Sequence, residues 1–193
     1  MSKTKKINIS NLEFIKEGFK NIRSIGSVSR SSQFVAKSMS KILIHPEYKT
    51  IVEVGPGDGA ITEEILKIMS ADAKLYVLEI NENFCNQLSL WPDPRMTVIQ
   101  DSAENLKSVL ENQNVQEADI IISAIPFLLF PRDEVEKFLK VFYNALRPGG
   151  KYIQLHYSLN LKDLYEEIFD EVKLRFVPIN IPPAFIFECK KKV

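Results

Sequence analysis

Cysteine is scarce in this sequence and long apolar runs are missing, and both absences narrow what the protein is. The two cysteines, Cys85 and Cys189, lie far apart. They form no CxxC or Cys/His spacing, so neither a disulfide framework nor a metal site is expected. Both read as reduced thiols, as in a cytoplasmic protein. No apolar stretch approaches the about 20 residues that span a bilayer. The N-terminus carries no apolar signal core, so export is not indicated. Internal repeats and low-complexity tracts are absent too. Net charge is zero, with 25 Lys+Arg against 25 Asp+Glu. That balance hides an asymmetry. The first fifty residues hold ten basic residues and only three acids (Glu13, Glu17, Glu47), a net +7, which leaves −7 on the remainder. A basic segment on an acidic body suits a face turned toward an anionic surface, and equally a solvated tail.

What is present is an ordinary globular composition, 45% hydrophobic and 26% charged over 193 residues. That length suits one α/β domain with a full core. Ser10-Asn-Leu-Glu13 reads as a capping box. Leu12, Ile15, Phe19 and Ile22 follow at helical spacing, flanked by Lys16, Lys20 and Arg23. The serine-rich stretch 24–32 reads as a loop. A second helix starts near Ser31 or Ser32, with Val35, Met39 and Ile42 on one face. From Thr50 onward strands and helices alternate. Strands are predicted at 51–54, 75–79, 96–100, 119–123, 151–159, 172–177 and 185–189. Helices lie between them, among them 81–90, 161–169 and one opened by Pro131 that Pro148-Gly-Gly150 stops. This order predicts a mostly parallel seven-stranded sheet with helices on both faces and an antiparallel C-terminal edge. The whole chain, 1–193, reads as a single domain with 1–45 as a helical cap.

Such sheets bind ligands at the carboxyl ends of their strands, so residues just after strands carry the information. After the first strand stands Glu53-Val-Gly55-Pro-Gly57-Asp-Gly59. Glycines let the chain turn tightly and let a ligand approach the backbone. The helix N-terminus beyond them favours polar or anionic groups. Glu53 lies inside the strand, where a carboxylate is costly to bury without a partner. It can hold the loop amides or face a ligand ammonium. Glu79 ends the second strand, where a carboxylate can accept both hydroxyls of a ribose. The next residue, Ile80, can pack on an adenine ring. Asp101 and Ser102 follow the third strand, and Asp101 can accept from an adenine amino group. A dinucleotide-binding fold of the NAD type accounts for the glycines and Glu79. It does not account for Glu53, Asp101 and Pro148-Gly-Gly150.

ValGluValGlyProGlyAspGly (52–59), LeuGluIle (78–80), GlnAspSerAla (100–103) and LeuArgProGlyGlyLysTyr (146–152) resemble, in order and spacing, the motifs of class I S-adenosylmethionine (SAM)-dependent methyltransferases. The resemblance covers nearly the whole chain. It implies a Rossmann-like fold, SAM as cofactor and S-adenosylhomocysteine as product. It also implies cofactor contacts from Gln33, Phe34, Glu53, Gly55, Gly57, Gly59, Glu79, Ile80, Asp101, Ser102 and Ser123.

Ser123-Ala-Ile-Pro126-Phe127 follows the fourth strand and resembles the Asn/Asp-Pro-Pro-Tyr/Phe segment of amine-N methyltransferases. Ser123 stands where that segment has Asn or Asp, which argues against a nucleic-acid base as acceptor. The chain resembles ribosomal RNA adenine dimethyltransferases around Ser32-Gln-Phe-Val35 and the glycine loop. It resembles bacterial phospholipid N-methyltransferases more widely: in the basic amphipathic N-terminus, in SerAlaIleProPhe, in GlnLeuHisTyr (154–157) and in AsnIleProProAla (180–184). Arg30, Ala124 and His156 depart from that family's proline, glycine and threonine. The resemblance implies a phospholipid or aminolipid headgroup amine as acceptor, met at the inner face of a membrane by a monomer. Other amines, in RNA, protein or small molecules, remain alternatives, as does a non-catalytic nucleotide-binding protein. Candidate catalytic residues are Tyr157, Ser123, Pro126 and His156. Tyr157 and His156 face opposite sides of one strand, so one of them meets the amine, and the resemblance implies Tyr157. Arg30, Ser31, Ser32 and Phe127 are candidate substrate contacts, the serines equally helix caps. The N-terminal helix suits a membrane interface, and its stripe equally suits packing on the sheet.

Overall fold

The apolar, β-branched run Thr50–Val54 forms a strand paired on both sides, which is why its apolar side chains are buried on both faces. The structure is a computed structural model that describes residues 35–39, 42, 45, 47–178, 180 and 182–193. After this first strand, β1, come α1 (Ala60–Ile68), β2 (Lys74–Glu79), α2 (Glu82–Leu88) and β3 (Met96–Gln100). A 3-10 turn (Ala103–Asn105), α3 (Leu106–Asn112) and β4 (Ala118–Ser123) follow. A second 3-10 turn (Phe127–Leu129) leads to α4 (Arg132–Ala145) and β5 (Leu146–His156). The chain closes with α5 (Lys162–Ile168), β6 (Glu171–Val177) and β7 (Ala184–Lys190).

The seven strands make one sheet in the order β3-β2-β1-β4-β5-β7-β6. β1 to β5 run parallel; β7 is antiparallel to both β5 and β6. The expected seven-stranded, mostly parallel sheet with an antiparallel edge is what the chain forms. Chain order reverses between β1 and β4, which opens the crevice where ligands bind in such sheets.

Alternation along the strands feeds two apolar layers. Val52, Val54, Leu78, Ile121 and Tyr152 face α3, α4 and α5. Ile51, Val77, Ile120, Ile122 and Ile153 face α1, α2 and the helical residues 35–39. Val35, Met39 and Ile42 are buried there, as their spacing predicts. At the amino edge, Asp119 accepts from the amides of Lys49 (2.7 Å) and Thr50 (2.8 Å) and pairs with Arg147. Asp119 thereby ties β4 to the entry of β1 and to the start of β5.

Two expectations need correction. Pro148-Gly-Gly150 does not stop α4. The helix ends at Ala145, Leu146 is already extended, and the tripeptide lies inside β5. The register slips there, from Ala118↔Leu146 to Ile120↔Lys151. Gly149 has φ 75 and a Cβ on Gly150 would sit 2.9 Å from the Arg147 carbonyl. The glycines are needed for this bulge. β5 also ends at His156, short of the predicted Leu159. The N-terminal amphipathic helix and its capping box lie outside the described residues.

Candidate active site

Three glycines carry the chain from β1 into α1 with positive φ: 69 at Gly55, 59 at Gly57 and 84 at Gly59. Space adds to the conformational demand at two of them. A Cβ on Gly55 would lie 2.8 Å from Ile125, and one on Gly59 would lie 2.7 Å from Leu88 and 2.8 Å from Trp91. The loop thus packs against the turn after β4 and the end of α2.

Glu79 holds this loop in place. Its Oε2 accepts from the Gly57 amide (3.1 Å) and its Oε1 from Asn81 (2.8 Å). Each oxygen keeps a further lone pair, so the carboxylate can still accept ribose hydroxyls. Ile80, beside it, is exposed and offers its side chain to a ring. Asp101 is oriented by one oxygen. Oδ1 accepts from the Ser102 amide and from Asn105 Nδ2, each at 2.7 Å. Oδ2 has no protein donor among the described residues and is available to an amino group. Ser102 caps the following turn, accepting from the Glu104 amide at 3.4 Å.

Glu53 is buried inside β1. Its Oε2 accepts from Thr62 Oγ1 at 2.7 Å, and Oε1 has no partner among the described residues. It does not hold the loop amides, one of the two roles open to it. Burial pushes its pKa up to about 8, against the Thr62 hydrogen bond. A buried oxygen with no donor asks for one, and the ammonium of a bound amino acid moiety supplies it. Glu53, Glu79, Ile80 and Asp101 therefore fit the amino, ribose and adenine parts of SAM, around a glycine loop that a ligand can approach closely.

The acceptor end lies after β4 and β5. Ser123 is buried, and its hydroxyl accepts from the Ile125 amide at 3.2 Å. The Ile125 carbonyl accepts twice, from Phe127 N at 2.8 Å and Gln154 Nε2 at 2.9 Å. The Pro126 carbonyl accepts from Leu129 N at 2.9 Å. Of the carbonyls between β4 and the 3-10 turn, Ala124 alone has no donor among the described residues. Gln154 Oε1 in turn accepts from the Tyr152 hydroxyl. A buried polar chain thus pins this turn to β5.

Tyr157 follows β5 and is partly exposed. Burial pushes its hydroxyl pKa up, with the Asn180 amide beside it acting the other way. The phenol stays protonated at neutral pH and serves as a hydrogen-bonding group, not a base. His156 points to the other face, as strand alternation requires. Its Nε2 meets the Tyr165 hydroxyl at 2.8 Å, its ring packs edge-on against Phe187, and burial lowers its pKa to about 4. His156 is a core histidine, and its candidate catalytic role is withdrawn. Phe127 is corrected likewise. Its ring is fully buried against Phe130, Phe138 and Phe142, leaving no surface for a substrate. Arg30, Ser31, Ser32, Gln33 and Phe34 lie outside the described residues.

Thr62, Asn105, Tyr152, Gln154 and Asn180 carry no individual role in the sequence. Tyr152, Gln154 and Asn180 do lie within the motifs at 146–152, 154–157 and 180–184, and Thr62 is a lone hydroxyl beside the isoleucine stripe of α1, but their partners are brought close only by folding.

Residues 51–150 match the methyltransferase domain family, which is more than half of the chain. An ornithine lipid N-methyltransferase of Singulisphaera acidiphila is 26% identical over 92% of this chain and 94% of its own length. Ribosomal RNA small subunit methyltransferase A of Thermotoga maritima is 25% identical over 92% of this chain and 66% of its own. Among solved structures, magnesium protoporphyrin IX methyltransferase from Synechocystis PCC 6803 with bound SAM superposes over 100% of both chains, with a TM-score of 0.73 at 13% identity. N-methyltransferase NodS from Bradyrhizobium japonicum WM9 covers 85% of this chain and 95% of its own, with a TM-score of 0.63 at 14% identity. On the match over residues 51–150, the chain belongs to the methyltransferase domain family and is a SAM-dependent methyltransferase.

Proposed function

We propose that the protein methylates the amine of a phospholipid or aminolipid headgroup. The observation that carries this reading is the ornithine lipid N-methyltransferase relative, whose match spans nearly the full length of both chains. The acceptor end supports an amine. Its free groups are hydrogen-bond acceptors without charge: the Ala124 carbonyl, the Tyr157 hydroxyl and the Asn180 amide oxygen. The exposed side chains of Leu128, Tyr157 and Leu159 follow β4 and β5, so the mouth of the site is apolar enough to meet a lipid surface. Among the described residues no helix is long and apolar enough to cross a membrane. On this reading contact is peripheral, through the mouth and the basic N-terminal segment.

The glycine loop, Glu53, Glu79 and Asp101 would hold SAM, whose sulfonium methyl would pass to the amine lone pair to give an N-methylammonium, with the C–S electrons left on sulfur. The chain's contribution is alignment and exclusion of water. The glycine loop and Glu79 hold the cofactor side. The Ser123 hydroxyl and the Tyr152–Gln154 pair hold the turn that carries the Ala124 carbonyl.

The reading is tested by supplying radiolabelled SAM with vesicles of phosphatidylethanolamine or ornithine lipid, with RNA and with protein in parallel. Label is expected in lipid. Label in RNA alone would overturn the lipid assignment and favour the kind of acceptor named by the Thermotoga maritima relative.

A further inference from the structure

Two buried side-chain oxygens lack a hydrogen-bond donor among the described residues: Glu53 Oε1 and Asn180 Oδ1. The first belongs to the cofactor side. The second has no structural use. Asn180 is 1% exposed. Its Nδ2 donates to the Pro182 carbonyl at 2.6 Å, and its backbone amide to Val177 at 3.4 Å. The side-chain amide is therefore held in one orientation, with one N–H given to Pro182, the other beside the Tyr157 oxygen, and its acceptor left over. Burying a carbonyl without a donor destabilises a fold, so such a group marks a missing partner.

Strand register locates that partner's position. β7 pairs with β5 through Phe185↔His156 and with β6 through Ala184↔Val177. Pro178, Asn180, Pro182 and Pro183 therefore lie at the carboxyl edge of the parallel strands. That edge also carries the glycine loop and the Ser123–Phe127 turn. Tyr157, the first residue beyond β5, borders the Asn180 side chain.

We propose that Asn180 recognises the acceptor amine, its Oδ1 accepting an N–H hydrogen bond beside the Tyr157 hydroxyl. This inference rests on the amine reading above, but not on the amine being part of a lipid. A neutral amide oxygen suits the chemistry. It orients the N–H, and so the lone pair, without the strong preference for the unreactive ammonium that a carboxylate would impose.

Two variants separate recognition from loop structure. Asn180→Ala removes Oδ1 and the Nδ2 bond. Asn180→Asp keeps an acceptor oxygen and also loses the Nδ2 bond. The acceptor is whichever amine the wild type labels. Asn180→Ala is expected to raise the acceptor KM at least tenfold with SAM Kd within twofold of wild type. Asn180→Asp is expected to hold the acceptor KM within threefold and to move the pH profile of kcat upward, since the ammonium is now stabilised. An unchanged acceptor KM in Asn180→Ala overturns the proposal. Equal impairment of both variants, with SAM affinity and Tm falling together, also overturns it, because that is the signature of a loop support. If Asn180→Ala does not fold, an unshifted pH profile in Asn180→Asp decides against it. Label from the wild type in RNA or a polyamine instead of lipid overturns the lipid reading while Asn180 is tested on that acceptor. Label in no amine overturns both.

Discussion

At the scale of single residues, Glu53 behaves as a carboxylic acid in the ligand-free fold. Burial raises its pKa from 4.5 to about 8, the Thr62 hydrogen bond opposes the rise, and Glu79 and Asp58 add to it. A raised folded-state value means the native state holds the proton longer than the unfolded chain. The associated stability is fully present below 4.5 and is lost as pH rises through about 8. The Tm of the ligand-free protein is therefore expected to fall between pH 6 and pH 8.5, and to fall less in Glu53→Gln. The same variant weakens SAM binding by about tenfold, the size of one charge-assisted hydrogen bond; calorimetric titration checks it. Tyr157→Phe removes only a hydroxyl at the acceptor end. Turnover is expected to drop by about tenfold with SAM affinity intact, again one hydrogen bond in size. Unchanged turnover would take Tyr157 out of the site.

At the scale of elements, the β1–α1 connection and β5 carry most of the site. Gly59 has φ 84 and its missing Cβ is the space occupied by Leu88 and Trp91. Gly59→Ala combines backbone strain with overpacking, and a loss of about 1–3 kcal/mol is expected in urea unfolding. β5 divides its side chains between two tasks. Tyr152, Gln154 and His156 serve the buried face, and Tyr157 lies beyond them on the other side. His156 shows the electrostatic consequence. Burial lowers its pKa from 6.5 to about 4, so the folded state resists protonation. Stability tied to the neutral ring is present above 6.5 and is lost as pH falls toward about 4. His156→Phe keeps the ring packing and removes this dependence. It removes the hydrogen bond between Nε2 and the Tyr165 hydroxyl, at a cost of about 1–3 kcal/mol. Acid unfolding followed by circular dichroism is expected to start higher but run less steeply in the variant.

At the scale of the whole molecule, the candidate binding residues converge on the carboxyl edge of one sheet. The glycine loop, Glu79, Asp101 and the Ser123–Phe127 turn meet there because β1 to β5 are parallel, and Asn180 joins them because β7 runs antiparallel to β5. The charge distribution is the other global feature. A segment of net +7 on a body of −7 gives the protein a polarity that an anionic surface can read. Binding to phosphatidylglycerol vesicles is expected at low salt and lost at high salt, because screening shortens to a few ångströms. Reversing Lys16, Lys20 and Arg23 to Glu should weaken it at least tenfold, given about 1 kcal/mol for each basic residue near such a surface. Sedimentation with vesicles measures both. Salt-independent binding, or binding untouched by the triple reversal, would remove the N-terminal segment from membrane contact.

The sequence by itself determined the order of strands and helices and singled out the candidate cofactor residues. Both are local signals. Hydrophobic period marks each element, and Glu53, Glu79 and Asp101 lie at or within a residue or two of strand ends, which the parallel sheet brings to one edge. It also determined that Tyr157 and His156 point apart, since side chains alternate along a strand. Tertiary structure alone decided which of the two faces the core, because that depends on Tyr165 and Phe187 packing against β5. It decided that Phe127 belongs to an aromatic cluster with α4, that Gln154 grips the Ile125 carbonyl, and that Pro148-Gly-Gly150 bulges within a strand. Asn180 is the clearest instance. Its side chain acquires meaning only when an antiparallel β7 brings it back to Tyr157, and no spacing along the chain records that a buried oxygen there lacks a partner.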